Sequence, residues 1–504
     1  VVLDLSGNLA GGQWILTANI LPLAACLVLG GRIADVVGLR RAFVVGGVVF
    51  AVATALAGAS QNYPWMIAAR VLQGLAAAVM MPTSVAITSA VWPKERRGYA
   101  LGILAGASAF FAAIGPVLGG VLTAIDWRLV FLINVPLAVG AVVLALISTP
   151  PLNRKDTGPA RIDWLGGALF AAAMVGLVYG LAQGQPEGWT SWATLLPLLG
   201  AVVFAGLFVV AERRAAQPLI DAKMFGHMNF TASTISQFVA GMLELGLGYL
   251  LPFYLLLVVG VGPVTAGLVL IPGTIPIILA GPLAGRLFDR VGGRWPLAIG
   301  FVVLAVSGIA LGIGVSGESA AALIPGLILQ GIGLGVVLTV NDPVGMNAID
   351  DSEQGQAAGI INTAEQVGGA IGIAILSAVQ LGYYFNHLYE RFAAENIVPT
   401  PAQAQEVHDY IAQAEQFGLR NVPTTPIVQK VYDDLVQAHA QAYQFTFYVS
   451  AALALVGAVA TAALVRKVPV TIAGRVFTRR SRWVLANAGA TTPALTRRPP
   501  PTDQ

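Results

Sequence analysis

Two glutamates lie in stretches where lipid-facing chain is expected. Glu244 falls in FVAGMLELGLGYLLPFY and Glu365 in GIINTAEQVGGAIG, each near the middle of an apolar run. An ionisable group at membrane depth is expensive and by default functional. A carboxyl group there is suited to taking up and releasing a proton, so both are candidate proton-coupling acids. The competing reading is a carboxyl hydrogen-bonded inside the bundle or facing a wet crevice. Arg70, in RVLQG, lies about six residues inside its run, or about 9 Å of helix rise. An arginine keeps its proton, so Arg70 would act on a carboxylate, on water or on substrate; the alternative is snorkelling to the outer interface. Asp342, in TVNDPVG, reads as an end-of-span residue explained by a cap or turn.

These groups need a membrane scaffold to hold them. The 504 residues are 56% hydrophobic and only 11% charged, with a mean hydropathy of +0.76, against about 25% charged in soluble domains. A helix crosses the ~30 Å hydrocarbon core in about 20 apolar residues. Thirteen runs meet that description, approximately 12–31, 42–60, 64–86, 98–124, 128–149, 163–184, 191–211, 229–258, 263–284, 296–315, 319–342, 355–382 and 443–465. They are continuous rather than alternating, which excludes barrel strands. The fold class is therefore an all-α polytopic membrane protein. Alternate connections carry the basic residues (Arg32, Arg40 and Arg41; Lys94, Arg96 and Arg97; Arg154, Lys155 and Arg161; Arg213, Arg214 and Lys223; Arg286, Arg290 and Arg294), and they are cytoplasmic by the positive-inside rule. The acidic connection NAIDDSEQ (347–354) falls on the same side by parity. The tail 466–504 is basic, cytoplasmic and suited to anionic lipid. An odd number of spans with an inside C-terminus puts Val1 outside, so one further helix is expected ahead of it.

The chain also repeats itself. GRIADVVGLRR (31–41) returns as GRLFDRVGGRW (285–295), 254 residues later. At an offset of 257, Gln73-Gly74 matches Gln330-Gly331, Gly98 matches Gly355, Gly102-Ile103 matches Gly359-Ile360, Gly115 matches Gly372, and Ser108 stands opposite Glu365. Two parallel repeats flanking a substrate path is a transporter plan. A six-span repeat needs fewer residues than this offset, so runs 163–184 and 191–211 read as an inserted pair. The expected domains are an N-terminal half (1–150), the inserted pair with its linkers (151–225), a C-terminal half (226–465) containing an outside loop (383–442), and the tail (466–504).

The residues Gly31, Asp35, Gly38, Arg40 and Arg41 resemble motif A of the major facilitator superfamily, repeated as Gly285, Asp289, Gly292 and Arg294. RVLQG (70–74) is similar to motif B. IGPVLGG (114–120), with Gly115, Pro116, Gly119 and Gly120, followed by DWRLVFLINVP and later PLIDAKMF, resembles the antiporter motif C and flanking sequence of the 14-span drug:proton antiporters. Motif C departs at its leading glycine, which is Phe111 here, and the first helix of that family is expected to precede Val1. The resemblance implies two six-helix halves plus two inserted helices, a motif A latch favouring the outward-facing state, and a bent, tightly packed motif C helix sealing the halves.

Within motif A, Gly38 allows a tight turn, and Asp35 can pair with Arg40 or Arg41 or face the N-terminus of a neighbouring helix; the blander alternative is arginines that only set topology. The loop 383–442 is expected to form a helical hairpin on the outer face, either as an acidic attractor for cations or as a solvated cap. The four histidines (His227, His387, His408 and His439) fall in expected loops, and the lone Cys26 offers neither a disulfide nor a metal site. The sequence holds no catalytic set, no phosphate loop and no call for a cofactor. The expected function is proton-coupled antiport of small amphipathic or cationic compounds out of the cell by a monomer in the cell membrane. Its partners are a small-molecule substrate, protons and the bilayer, not nucleic acid. The alternatives are export of an endogenous lipid or metabolite, uptake by symport, or a truncated chain that transports nothing.

Overall fold

Glycine marks the sharpest reversals between long helices. A computed structural model describes residues 9–149, 162–184, 187–215, 217–315, 319–394, 400, 406 and 426–466. Gly38 (φ 100°) separates α1 (Leu9–Val37) from α2 (Leu39–Gly58), and Gly292 (φ 80°) follows α10 (Pro263–Val291) ahead of α11 (Arg294–Val315). Both φ values lie where a side chain is strained and glycine is not. The remaining helices are α3 (Tyr63–Val91), α4 (Arg97–Ile125), the short α5 (Arg128–Leu132), α6 (Asn134–Ser148), α7 (Trp164–Gln183), α8 (Trp192–Glu212), α9 (Met228–Tyr254), α12 (Ile324–Met346), α13 (Gln354–Ala394) and α14 (Pro426–Leu464). Asn62, Asp163 and Ser191 cap α3, α7 and α8 through side-chain oxygens that accept backbone N–H groups.

Twelve of the described helical segments are long and apolar enough to span a bilayer, and α4 adds a 29-residue helix. Helices α1 to α6 form one half and α9 to α14 the other. The inserted α7 and α8 pack on each other, with α7 against α1. The largest cores sit in the second half: one is centred on Leu297, Phe301, Leu304 and Val337, another on Leu250, Tyr254, Leu311 and Phe447. Between such apolar surfaces association depends on close van der Waals fit, which small residues permit. Gly308 shows this: a Cβ there would meet the Phe447 carbonyl and the Ala451 backbone N of α14 at 2.8 and 2.9 Å.

Two expectations change at the outer end of α13 and α14. Residues 426–442 are the opening turns of α14 rather than an arm of a separate hairpin. Neither glycine nor proline interrupts 427–456, so the helix runs on into the span. The other expected arm, 401–419, lies outside the described residues apart from Glu406, as does the tail beyond Arg466. His387 and His439 lie within α13 and α14 rather than in loops. The His439 ring packs 3.8 Å from that of Tyr384, and Arg391 pairs with Asp434 at 3.1 Å across the two helices.

Gly308→Leu should overpack the α11–α14 contact and destabilise the protein by about 1–3 kcal/mol, read as a lower thermal unfolding midpoint in detergent. Gly200→Leu on α8, where a Cβ meets nothing within 4 Å, should leave the midpoint unchanged.

Candidate functional site

The motif A acid does not pair with its own arginines. Asp35, at the cytoplasmic end of α1 and only 9% exposed, accepts hydrogen bonds from the backbone N–H groups of Gly355 and Gln356, both at 2.7 Å. Those amides lie in the first turn of α13, so a carboxylate from the first half seats on a helix N-terminus of the second. Arg40 instead donates to the Leu146 carbonyl of α6 at 2.5 Å. The repeat does the same in reverse. Asp289, on α10, accepts from Gly98 and Tyr99 at the start of α4, both at 3.0 Å. Each seat satisfies orphan amides and lies on the positive end of a helix dipole, worth up to ~2 kcal/mol when partly buried.

Glycine makes these seats reachable. A Cβ on Gly31 would run into the Gly355 carbonyl, and one on Gly285 into the Gly98 carbonyl. One turn on, Gly359 lies against Leu27, and Gly102 against Gly281. Each of these contacts of α1 with α13 thus has its counterpart, 254 or 257 residues away, between α10 and α4. A third cross-half tie accompanies the seats. Arg97, 3% exposed, reaches Asp351 at 3.0 Å and the Asn347 side chain at 3.2 Å, which gives the acidic connection 347–354 its partner on a basic face. Together these contacts join the cytoplasmic ends of the two halves.

The carboxylates gather in the second half. Gln237, Gly241 and Glu244 share one face of α9 by their spacing. Gly241 and Gly368 let α13 press onto that face: a Cβ on Gly241 would strike the Glu365 carbonyl, and one on Gly368 the Phe238 carbonyl. Gln237 Nε2 donates to Glu365 Oε2. The Glu244 Oε2 atom is buried without a hydrogen-bond partner. Glu365 lies within electrostatic reach of both Glu244 and Asp342. Asp342 therefore joins the acids of the bundle instead of serving only as a cap at the end of its span. Asn341 beside it donates to the Ser233 carbonyl at 2.9 Å and to Gln237 Oε1 at 2.5 Å. The sequence did contain a signal for Gln237: an amide two turns before Glu244 on the same helix face.

A model of the Major Facilitator Superfamily matches residues 2–373 of the chain. The chain belongs to the Major Facilitator Superfamily. It is 32% identical over 411 residues to the tetracenomycin C resistance and export protein of Streptomyces glaucescens, covering 81% of this chain and 76% of the relative. It is 31% identical over 410 residues to the multidrug resistance protein Stp of Mycobacterium tuberculosis, covering 80% and 74%. The crystal structure of the human organic anion transporter MFSD10 superposes with a TM-score of 0.57 at 15% identity, covering 89% of this chain and 83% of that one, a likeness of fold. This major facilitator protein is thus a multi-pass protein of the cell membrane.

Two other expected sites take different positions in the major facilitator bundle. Arg70 lies apart from the acids: Nε donates to the Ile15 carbonyl at 2.9 Å, NH1 to Gln73 Oε1 at 2.6 Å, and the guanidinium lies 5.8 Å from the Phe131 ring centroid. Gln73 continues the network to Thr54. Arg70 so ties α3 to α1, α2 and α5. The motif C glycines Gly115 and Gly119 have no neighbour within 4 Å of a Cβ position; the close cross-half approach on α4 belongs to Gly98, Gly102 and Gly106. Of Pro116 and Gly120, the structure gives their place in α4.

Asp35→Asn and Asp289→Asn each keep shape but surrender the charge on a helix N-terminus. A loss of about 1 kcal/mol shifts the closed-to-open ratio roughly fivefold. In a Cys26→Ser background carrying Ala358→Cys, a site 1% exposed on α13, maleimide labelling from the cytoplasmic side should speed up by that factor.

Proposed function

We propose that the protein exports small amphipathic or cationic organic compounds across the cell membrane in exchange for protons, by alternating access between its two halves. The observation that carries this reading is the Glu244–Glu365 pair, two acids on facing helices with a buried, unpartnered oxygen on one of them. Two carboxylates held together in low dielectric do not both ionise without a compensating cation. A proton or a cationic substrate can meet that demand, and the two would then compete for one site. Competition for one site is the logic of exchange: substrate leaves when a proton arrives from outside, and the proton is released inside when the next substrate binds. Resistance and export proteins among the relatives support organic cargo leaving the cell.

The two carboxylate seats supply the gate. With the cytoplasmic ends held shut, a substrate path between the halves would open only to the outside, which favours release of cargo and loading of a proton. Opening inward must break both seats and the Arg97–Asp351 pair. A membrane potential of 100 mV supplies about 2.3 kcal/mol per elementary charge, enough for roughly a fortyfold concentration ratio when a neutral cargo is exchanged for one proton. A monovalent cation exchanged one for one moves no net charge, and its export would draw on the pH difference alone.

The test is dye transport in everted vesicles under an imposed pH gradient, comparing the unaltered protein with Glu244→Gln. Gradient-driven transport should fall at least tenfold in the variant, while downhill binding of a neutral dye persists. Transport that ignores the gradient, or survives the substitution intact, would sink the coupling scheme.

A further inference from the structure

The side-chain amides next to the acid pair are not interchangeable hydrogen-bonding groups, because a backbone carbonyl fixes their direction. Ser233 C=O can only accept, so the group facing it must be the Asn341 NH2. The same NH2 donates its second proton to Gln237 Oε1. With its oxygen so engaged, Gln237 must turn Nε2 toward α13, where it donates to Glu365 Oε2. Turning Asn341 over would set oxygen against oxygen at Ser233 and Gln237, and turning Gln237 over would set its NH2 against that of Asn341. The Ser233 hydroxyl donates to the Asn341 backbone carbonyl at 3.0 Å, which holds α9 and α12 together at this point. Side-chain amides usually leave their orientation open; this chain of three residues on α12 and α9 does not.

We propose that Ser233, Asn341 and Gln237 form a one-way amide relay that divides the labour between the paired acids, keeping Glu365 as the anionic member and leaving Glu244 as the member that carries the proton. An amide N–H aimed at a carboxylate oxygen stabilises the charged form of that oxygen, whereas the buried Glu244 Oε2 has no donor. Gln237 and Asn341 are positioning residues: neither takes up the proton, and both act through Glu365. The proposal rests on the proton-exchange reading above and assigns its sites.

Of the charged groups on the neighbouring helices, Asp342 bears on this division and three others are engaged elsewhere. Asp342, on α12, is the third acid within reach of Glu365. On the helices packed against α9 and α13, Asp35 of α1 is engaged with the α13 N-terminus, Arg70 of α3 with Ile15 and Gln73, and His439 of α14 with the Leu435 carbonyl.

The experiment combines infrared difference spectroscopy of the full chain in lipid vesicles with the pH profile of gradient-driven dye transport. An Asp342→Asn background removes the third carboxyl. The C=O stretch of a protonated carboxyl should be present at neutral pH, lost in Glu244→Gln and retained in Glu365→Gln. Gln237→Leu, which deletes the donor, should add a second such band and move the half-maximal pH of transport to the alkaline side by about one unit. Asn341→Leu, which frees Gln237 to turn, should act in the same direction more weakly and serves if Gln237→Leu does not fold. A band lost in Glu365→Gln and retained in Glu244→Gln would overturn the relay, as would Gln237→Leu and Asn341→Leu spectra and profiles identical to the parent. Transport that survives Glu244→Gln overturns the exchange reading instead, and the infrared assignment still decides the relay on its own.

Discussion

A carboxylate can sit on a helix N-terminus only if that helix comes within hydrogen-bonding distance of another helix's backbone. The two halves therefore meet at points where no side chain intervenes, and the geometry of the protein follows from this. Gly31 against Gly355 and Gly285 against Gly98 bring the backbones together, and Asp35 and Asp289 turn the resulting proximity into attachment. Because the seats are related by the internal repeat, each half holds the other by the same device. The two seats lie at the same end of the bundle, where α1 meets α13 and α10 meets α4.

The parts of this arrangement that were legible in the sequence are those built from local pattern. Gly38 and Gly292 sit at a fixed spacing from an aspartate and an arginine, and the offset of 254 residues exposed the second copy. Of the two roles left open for Asp35, the structure selects the helix N-terminus, because the amides of Gly355 and Gln356 need an acceptor and Arg40 finds one on α6. The acidic connection 347–354 looked anomalous because its partner, Arg97, stands on a different half. The amides at Gln237 and Asn341 were harder to single out, since their partners are 104 and 128 residues away and the spacing of Gln237 to Glu244 on one helix face does not name a partner. Helical periodicity in 427–435 was correct, but periodicity alone does not tell an independent arm from the continuation of a span.

Symmetry of scaffold and asymmetry of chemistry coexist in the bundle. The position opposite Glu365 in the repeat is Ser108, whose hydroxyl turns back to the Leu104 carbonyl of its own helix at 3.0 Å. The same place in the fold thus carries an acid in one half and a self-satisfied hydroxyl in the other. Apart from the acids, the first half contributes Arg70, bound into a network of carbonyl and amide partners that braces four helices. One half buries an acid whose Oε2 has no hydrogen-bond partner, while the other answers its charge from within.

The length of α13 carries its own consequence. Its 41 residues make a rod of about 60 Å, twice the thickness of the hydrocarbon core, with Asp35 fastened to its inner end. The Arg391–Asp434 tie splints its outer part to α14. A rod pinned at one end magnifies tilt, and ten degrees of rocking would sweep the far tip through roughly 10 Å. The cell exterior would so be offered a pointer that moves with the state of a latch on the opposite side of the membrane.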